Sequence, residues 1–184
     1  MMETKKEKGS SLIYTMVFMG IMITAGLTAV QFSSLEQRTS SNFRTKQTTF
    51  FGAETILLEA EQCIREDAAC SNIALFDTNC TNGLCFNGSD RTSTVSCRSG
   101  NQRPWEQAAI WTDTARHIAA TNLTAPTVTG SFIIEFLCYV PRNPFGVTPN
   151  PANPADWSSL YRITALASMD IDGARVMLQS TYKW

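Results

Sequence analysis

One histidine, no proline before Pro104 and no charged side chain from Ser10 to Leu35 are the shortages that frame this 184-residue chain. The lone His117 excludes a multi-histidine metal site. Basic and acidic residues nearly cancel, 15 against 16, so there is no cationic excess to hold nucleic acid and none is expected as a partner. With 43% hydrophobic residues the chain is not a disordered acidic tail either. It has no C-x2-C pair, no G-x-S-x-G elbow and no Gly-rich phosphate loop. A catalytic set would have to use His117 with a serine or cysteine, or the acids Asp170 and Asp172. His117 lies in Ala115-Arg116-His117-Ile118, inside an expected helix, where a surface or packing role is simpler. Asp170-Ile171-Asp172-Gly173 lacks the remaining carboxylates of a calcium loop and reads as a turn. No enzyme, cofactor or metal is expected.

What is present begins with Leu12–Val30, about twenty mostly apolar residues, enough for a helix across a bilayer core of roughly 30 Å. Lacking proline, such a helix satisfies its own backbone hydrogen bonds, as lipid requires. A buried core helix is the alternative, and the position and length of the run argue against it. Lys5, Lys6 and Lys8 precede it, tempered by Glu3 and Glu7, so the N-terminus should stay cytoplasmic and the rest be exported. The apolar run exceeds that of a cleaved secretion signal, and Thr24/Gly26 and Gly26/Thr28 are weak cleavage candidates, so the helix should be retained.

All six cysteines, Cys63, Cys70, Cys80, Cys85, Cys97 and Cys138, lie on the exported side, where an even count reads as disulfides. Six cysteines permit 15 pairings, which spacing alone does not separate. Short loops are the simplest arrangement: Cys63–Cys70 and Cys80–Cys85, leaving Cys97–Cys138.

From Gln31 to Glu66 the sequence is polar but has no proline and one glycine, Gly52. Phe43, Phe50, Leu57 and Ile64 recur seven apart, with Ala53 and Ala60 on a neighbouring row, which predicts one helical stripe laid on a folded head. A short coiled coil is the alternative. The expected helix runs from about Ser11 to Glu66, on the order of 80 Å. In the head, 72–101 reads as loop, Glu106–Ala120 as a short helix, and Ser131–Val140, Leu160–Leu166 and Arg175–Tyr182 as strands. Pro141–Pro154 holds five prolines and reads as an irregular surface loop. The expected class is α+β: a long N-terminal helix, half transmembrane and half amphipathic, packed on a small antiparallel β-sheet head. Residues 10–30 would be the transmembrane half, 31–66 the amphipathic periplasmic half and 67–184 the disulfide-containing head.

A short basic leader ending in glycine, an uncharged helix and a globular head resemble the layout of type IV pilins, and the detail resembles the PilX-type minor pilins. Lys8-Gly9-Ser10 is similar to the junction cut by prepilin peptidase. Leu35-Glu36-Gln37-Arg38 with Asn42, then Phe50-Phe51-Gly52-Ala53-Glu54, Leu58 and Ala60-Glu61, resemble that family's helix motifs, with Gly52 where alanine is usual. Gly83-Leu84-Cys85, Pro104-Trp105, Trp111, Tyr161-Arg162-Ile163-Thr164 and Arg175–Tyr182 resemble its head. The resemblance implies removal of residues 1–9, N-methylation of Ser10 and residence in the inner membrane before entry into a surface fibre. The implied partners are other minor pilins, the major pilin, prepilin peptidase, the inner-membrane assembly platform and a tip adhesin. Counted from Ser10 the fifth residue is Tyr14, where major pilins have glutamate; this points to the fibre tip and to initiation of assembly. Adhesion, aggregation and twitching motility are the implied roles. The alternatives are a type II secretion minor pseudopilin and an inner-membrane-anchored periplasmic binding protein or enzyme. With a bacterial leader, the N-x-S/T sites at Asn79, Asn87 and Asn122 read as coincidence.

Overall fold

The structure, a computed structural model, describes residues 10–86, 103–146, 149–150, 152–169 and 173–184. The chain divides into two units, Met1–Arg44 and Thr45–Trp184. Helix α1, Ser10–Glu66, contributes to both.

In the first unit the described chain is helix throughout, and every side chain from Ser11 to Arg44 is exposed. Leu12, Tyr14, Met16 and Phe18 are each more than 60% exposed. The stretch is long and apolar enough to cross a membrane. Its hydroxyls are satisfied locally: Thr15, Thr24 and Thr28 donate to the carbonyls of Leu12, Ile21 and Ala25, each at 2.9 Å. Such back-bonding hides the polar groups that lipid would penalise.

The second unit packs the rest of α1 on a five-stranded sheet. Strands β1 (Leu84–Phe86), β2 (Ile118–Ala119), β3 (Val128–Pro141), β4 (Trp157–Met169) and β5 (Arg175–Lys183) form it in the order β1-β3-β4-β5, with β2 also on β3. The last three strands are those expected from their β-branched and aromatic content. β4 and β5 pair as a hairpin whose turn ends at Gly173, φ +62°; Asp170 and Asp172 lie outside the described residues. The sheet is mixed, not wholly antiparallel, because β1 lies parallel to β3. Parallel pairing needs a long crossover in place of a tight turn, and the chain between Phe86 and Val128 supplies it. Strand β1 itself falls inside the stretch expected to be loop.

The buried stripe of α1 keeps the expected Ala53, Ala60 and Ile64 but adds Ile56 and leaves out Phe43 and Phe50. Ala53, Ile56, Ala60 and Ile64 are at most 1% exposed, joined by Thr49 at 0%, whereas Phe43 and Phe50 are 67% and 40% exposed. Small residues bring the helix backbone close to the sheet, which large rings on that row would prevent. Gly52 shows how close: a Cβ there would stand 2.7 Å from Val128 Cγ1. Alanine at 52 gains about 1 kcal/mol of helix propensity but collides with a stiff β-branched side chain. Gly52→Ala is therefore expected to lose about 1 kcal/mol net and to become stabilising in a Val128→Ala background, read from urea midpoints.

The helix expected over 106–120 is only α3, Ala108–Thr112. Asp113 ends it: its backbone is extended and its carboxylate accepts the Ala115 N–H at 3.0 Å, an alternative to continued helix. His117 therefore lies outside the helix, half-buried, with Nδ1 2.8 Å from the Ile110 carbonyl. On the helix side of the sheet, Phe136 sits among Phe76, Phe86, Tyr139 and Tyr161. Tyr161 donates to the Ser71 carbonyl at 3.3 Å, and burial pushes its phenol up. On the other side, Ile133 meets Ile110, Trp105, Trp111 and the Cys80–Cys85 bridge.

Candidate functional site

The motif residues fall on two parts of α1. Ser10 opens the helix, and Gly9 lies outside the described residues. Leu35, 60% exposed, shares a face with Arg38 and Asn42 by helical spacing, and Glu36 is exposed beside them. Glu54 is exposed and Glu61 half-buried, seven apart on a common face. The six present a helix surface.

The carboxylate that ties the helix to the head is one the motifs do not include. Glu59 accepts from the Thr121 N–H at 2.9 Å, the Thr121 hydroxyl at 2.7 Å and the Asn122 N–H at 3.1 Å. It sits next to the buried Ala60, and only the phase of the buried row, not apolarity, points to it. This also gives Asn122 a structural position in the loop between β2 and β3.

Two bridges close short loops, Cys63–Cys70 and Cys80–Cys85. Cys138 is also disulfide-bonded, while Cys97 lies outside the described residues. Among the described residues Cys63, Asp67 and Cys70 form a cluster of potential metal-ligating atoms, but both sulfurs are consumed in the bridge. Asp67 instead caps the four-residue helix α2, Ala68–Ser71, accepting from the Ala69 N–H at 2.8 Å. The bridge thus turns the chain back just after α1 ends.

Asp77 organises the second bridged turn. Burial pushes its carboxyl up, but the Thr81 hydroxyl and the N–H groups of Thr81, Asn79 and Cys80 outweigh this and hold it below its ordinary 3.8. A lowered folded value stabilises the fold above the unfolded one, and that contribution fades as pH falls through the folded value. Asp77→Ala is expected to remove about 1 kcal/mol at pH 7 and to flatten the stability profile below about pH 4, followed by acid titration of the unfolding midpoint.

Glu135 on β3 is buried outright, 1% exposed and 3.5 Å from Arg162 opposite it on β4. Arg162 also lies 4.5 Å over the Trp105 ring. Trp111 donates its indole N–H to the Trp105 backbone carbonyl at 3.0 Å, which orients the Trp111 ring. These pieces lock the short helices to the sheet rather than frame a reaction centre.

No curated protein and no solved structure matches the chain. Two family descriptions do: the PilX N-terminal family over residues 8–57 and the type IV pilus assembly protein PilX C-terminal family over residues 81–183. The first covers the junction, the uncharged run and the helix motifs as far as Glu54, and the second runs from Thr81, just inside the bridged turn, through the whole sheet. An exposed apolar helix joined to a disulfide-closed head and matched at both ends, this chain belongs to the PilX family of type IV pilus assembly proteins.

Proposed function

We propose that the chain is a minor pilin cut between Gly9 and Ser10, methylated on Ser10, and placed at or near the fibre tip, where it initiates assembly. The observation that carries this reading is the Leu12–Val30 helix, uncharged and exposed on every side. An all-round apolar helix is stable only in lipid or among other helices, and a pilus subunit uses both surroundings in turn. In the inner membrane the N-terminus is cytoplasmic and the head periplasmic; in the fibre the same residues meet neighbouring pilins. Ala25 and Ala29, one turn apart, allow close helix approach. Tyr14 brings no carboxylate to pair with a neighbour's terminal amine, which suits a subunit with none above it.

Its partners in this reading are the major pilin, other minor pilins, prepilin peptidase, the assembly platform and a tip adhesin. Support for adhesion, aggregation and twitching motility follows from the fibre it starts. Gly9→Val is expected to leave the leader attached, while the unmodified chain begins at methylated Ser10; intact mass and N-terminal sequencing check this. Deletion of the gene, scored for surface fibres with and without blocked retraction, separates the roles. Fibres absent in both strains, or restored only when retraction is blocked, fit initiation; normal fibres without adhesion refute it.

A further inference from the structure

Two adjoining grooves, each about 450 Å³, flank the last turns of α1 in the second unit. They share Cys63, Asp67 and Ile118 as a common wall. The floor is apolar: Ile118 and Phe132 in one groove, Leu75 and Leu84 in the other, with Leu75 49% exposed. Among the described residues the charged groups lining both are of one sign. Glu59, Glu66, Asp67 and Asp77 contribute carboxylates, and no described Lys or Arg lines either groove.

Three of these acids are already engaged, Glu59 with Thr121 and Asn122, Asp67 with Ala69 and Asp77 with Thr81. Hydrogen bonds from N–H groups orient a carboxylate without cancelling its charge, so the field over the apolar floor stays negative. Glu66 is exposed and accepts from the Gln62 amide at 2.9 Å. Oxygens turned toward backbone donors and spread over two grooves do not converge on one ion. An acidic rim above an apolar floor complements an occupant that is both cationic and apolar.

We infer that this double groove docks a Lys- or Arg-bearing segment of a neighbouring pilus subunit, with an apolar side chain on the Leu75–Ile118 floor and a cation at Glu66. The inference rests on the pilus reading and gives that reading a surface on the head.

The test uses the full chain, tagged, co-expressed with the other minor pilins of its host and recovered in detergent. Recovery of each pilin is quantified by mass spectrometry. Glu66→Lys is expected to lower recovery of one pilin about tenfold, with the unfolding midpoint unchanged. Raising salt from about 0.1 to about 1 M, which shortens the screening length from about 10 to about 3 Å, should do the same to the unmodified chain. Thr181→Lys with Gln107→Lys, an equal charge change on exposed positions elsewhere, should recover the pilin normally. A Lys→Glu or Arg→Glu change in that pilin should restore its recovery by the Glu66→Lys chain. Recovery indifferent to Glu66 and to salt overturns the groove and leaves the pilus reading intact. Loss on chelation but not with salt overturns it in favour of a bound cation. An unmodified chain that recovers no pilin overturns the pilus reading and the groove together.

Discussion

Gly130→Ala is expected to destabilise the second unit by about 3 kcal/mol. A Cβ at this position would stand 2.5 Å from the Leu166 carbonyl oxygen of β4 and would also meet Ile56 Cδ1 of α1. The isoleucine tip can rotate away, but the carbonyl belongs to the β3–β4 ladder and moves only if the ladder opens. Trimming the helix side with Ile56→Val should therefore recover little. All four tryptophans, Trp105, Trp111, Trp157 and Trp184, lie in the second unit, so their fluorescence reports its unfolding in the full chain held in detergent. An unchanged midpoint would mean that helix and sheet do not close on Gly130.

Arg162→Leu is expected to lose about 3 kcal/mol. The change withdraws a guanidinium from a carboxylate that is 1% exposed and removes its contact with the Trp105 face. Burying a charge is expensive unless it is neutralised nearby, so truncating one member of such a pair leaves more damage than replacing both. Arg162→Leu with Glu135→Leu should thus be more stable than Arg162→Leu alone, even though two polar side chains have gone. A double mutant no better than the single would show that the ion pair is not what holds these strands and the Trp105 turn together.

Long-range features were legible where one kind of residue repeats. The uncharged run and the missing prolines predict α1 almost to its ends, and β-branched and aromatic density predicts β3, β4 and β5. The phase of the buried stripe was legible only in part. The apolar repeat finds Ala53, Ala60 and Ile64, but it also follows Phe43 and Phe50, which are exposed, and misses Ile56, which meets the sheet. Short elements were lost for another reason. Strand β1 has three residues and is held by pairing with β3, and α3 stops at an Asx turn that competes with the helix. Of the candidate site, the helix motif residues were readable one by one. Glu59 and the acids around the double groove were not, because their meeting depends on where Thr121 and the bridged turns fold back.

The back-bonded threonines near the start of α1 carry a last implication. Since Thr15, Thr24 and Thr28 already spend their protons on carbonyls of their own helix, exchanging acyl chains for neighbouring helices neither breaks nor makes a polar bond there. On the proposed pathway these three hydroxyls then raise no hydrogen-bonding barrier to the passage of a subunit between bilayer and filament, in either direction. A subunit drawn back from the filament would re-enter the membrane with the same groups already satisfied.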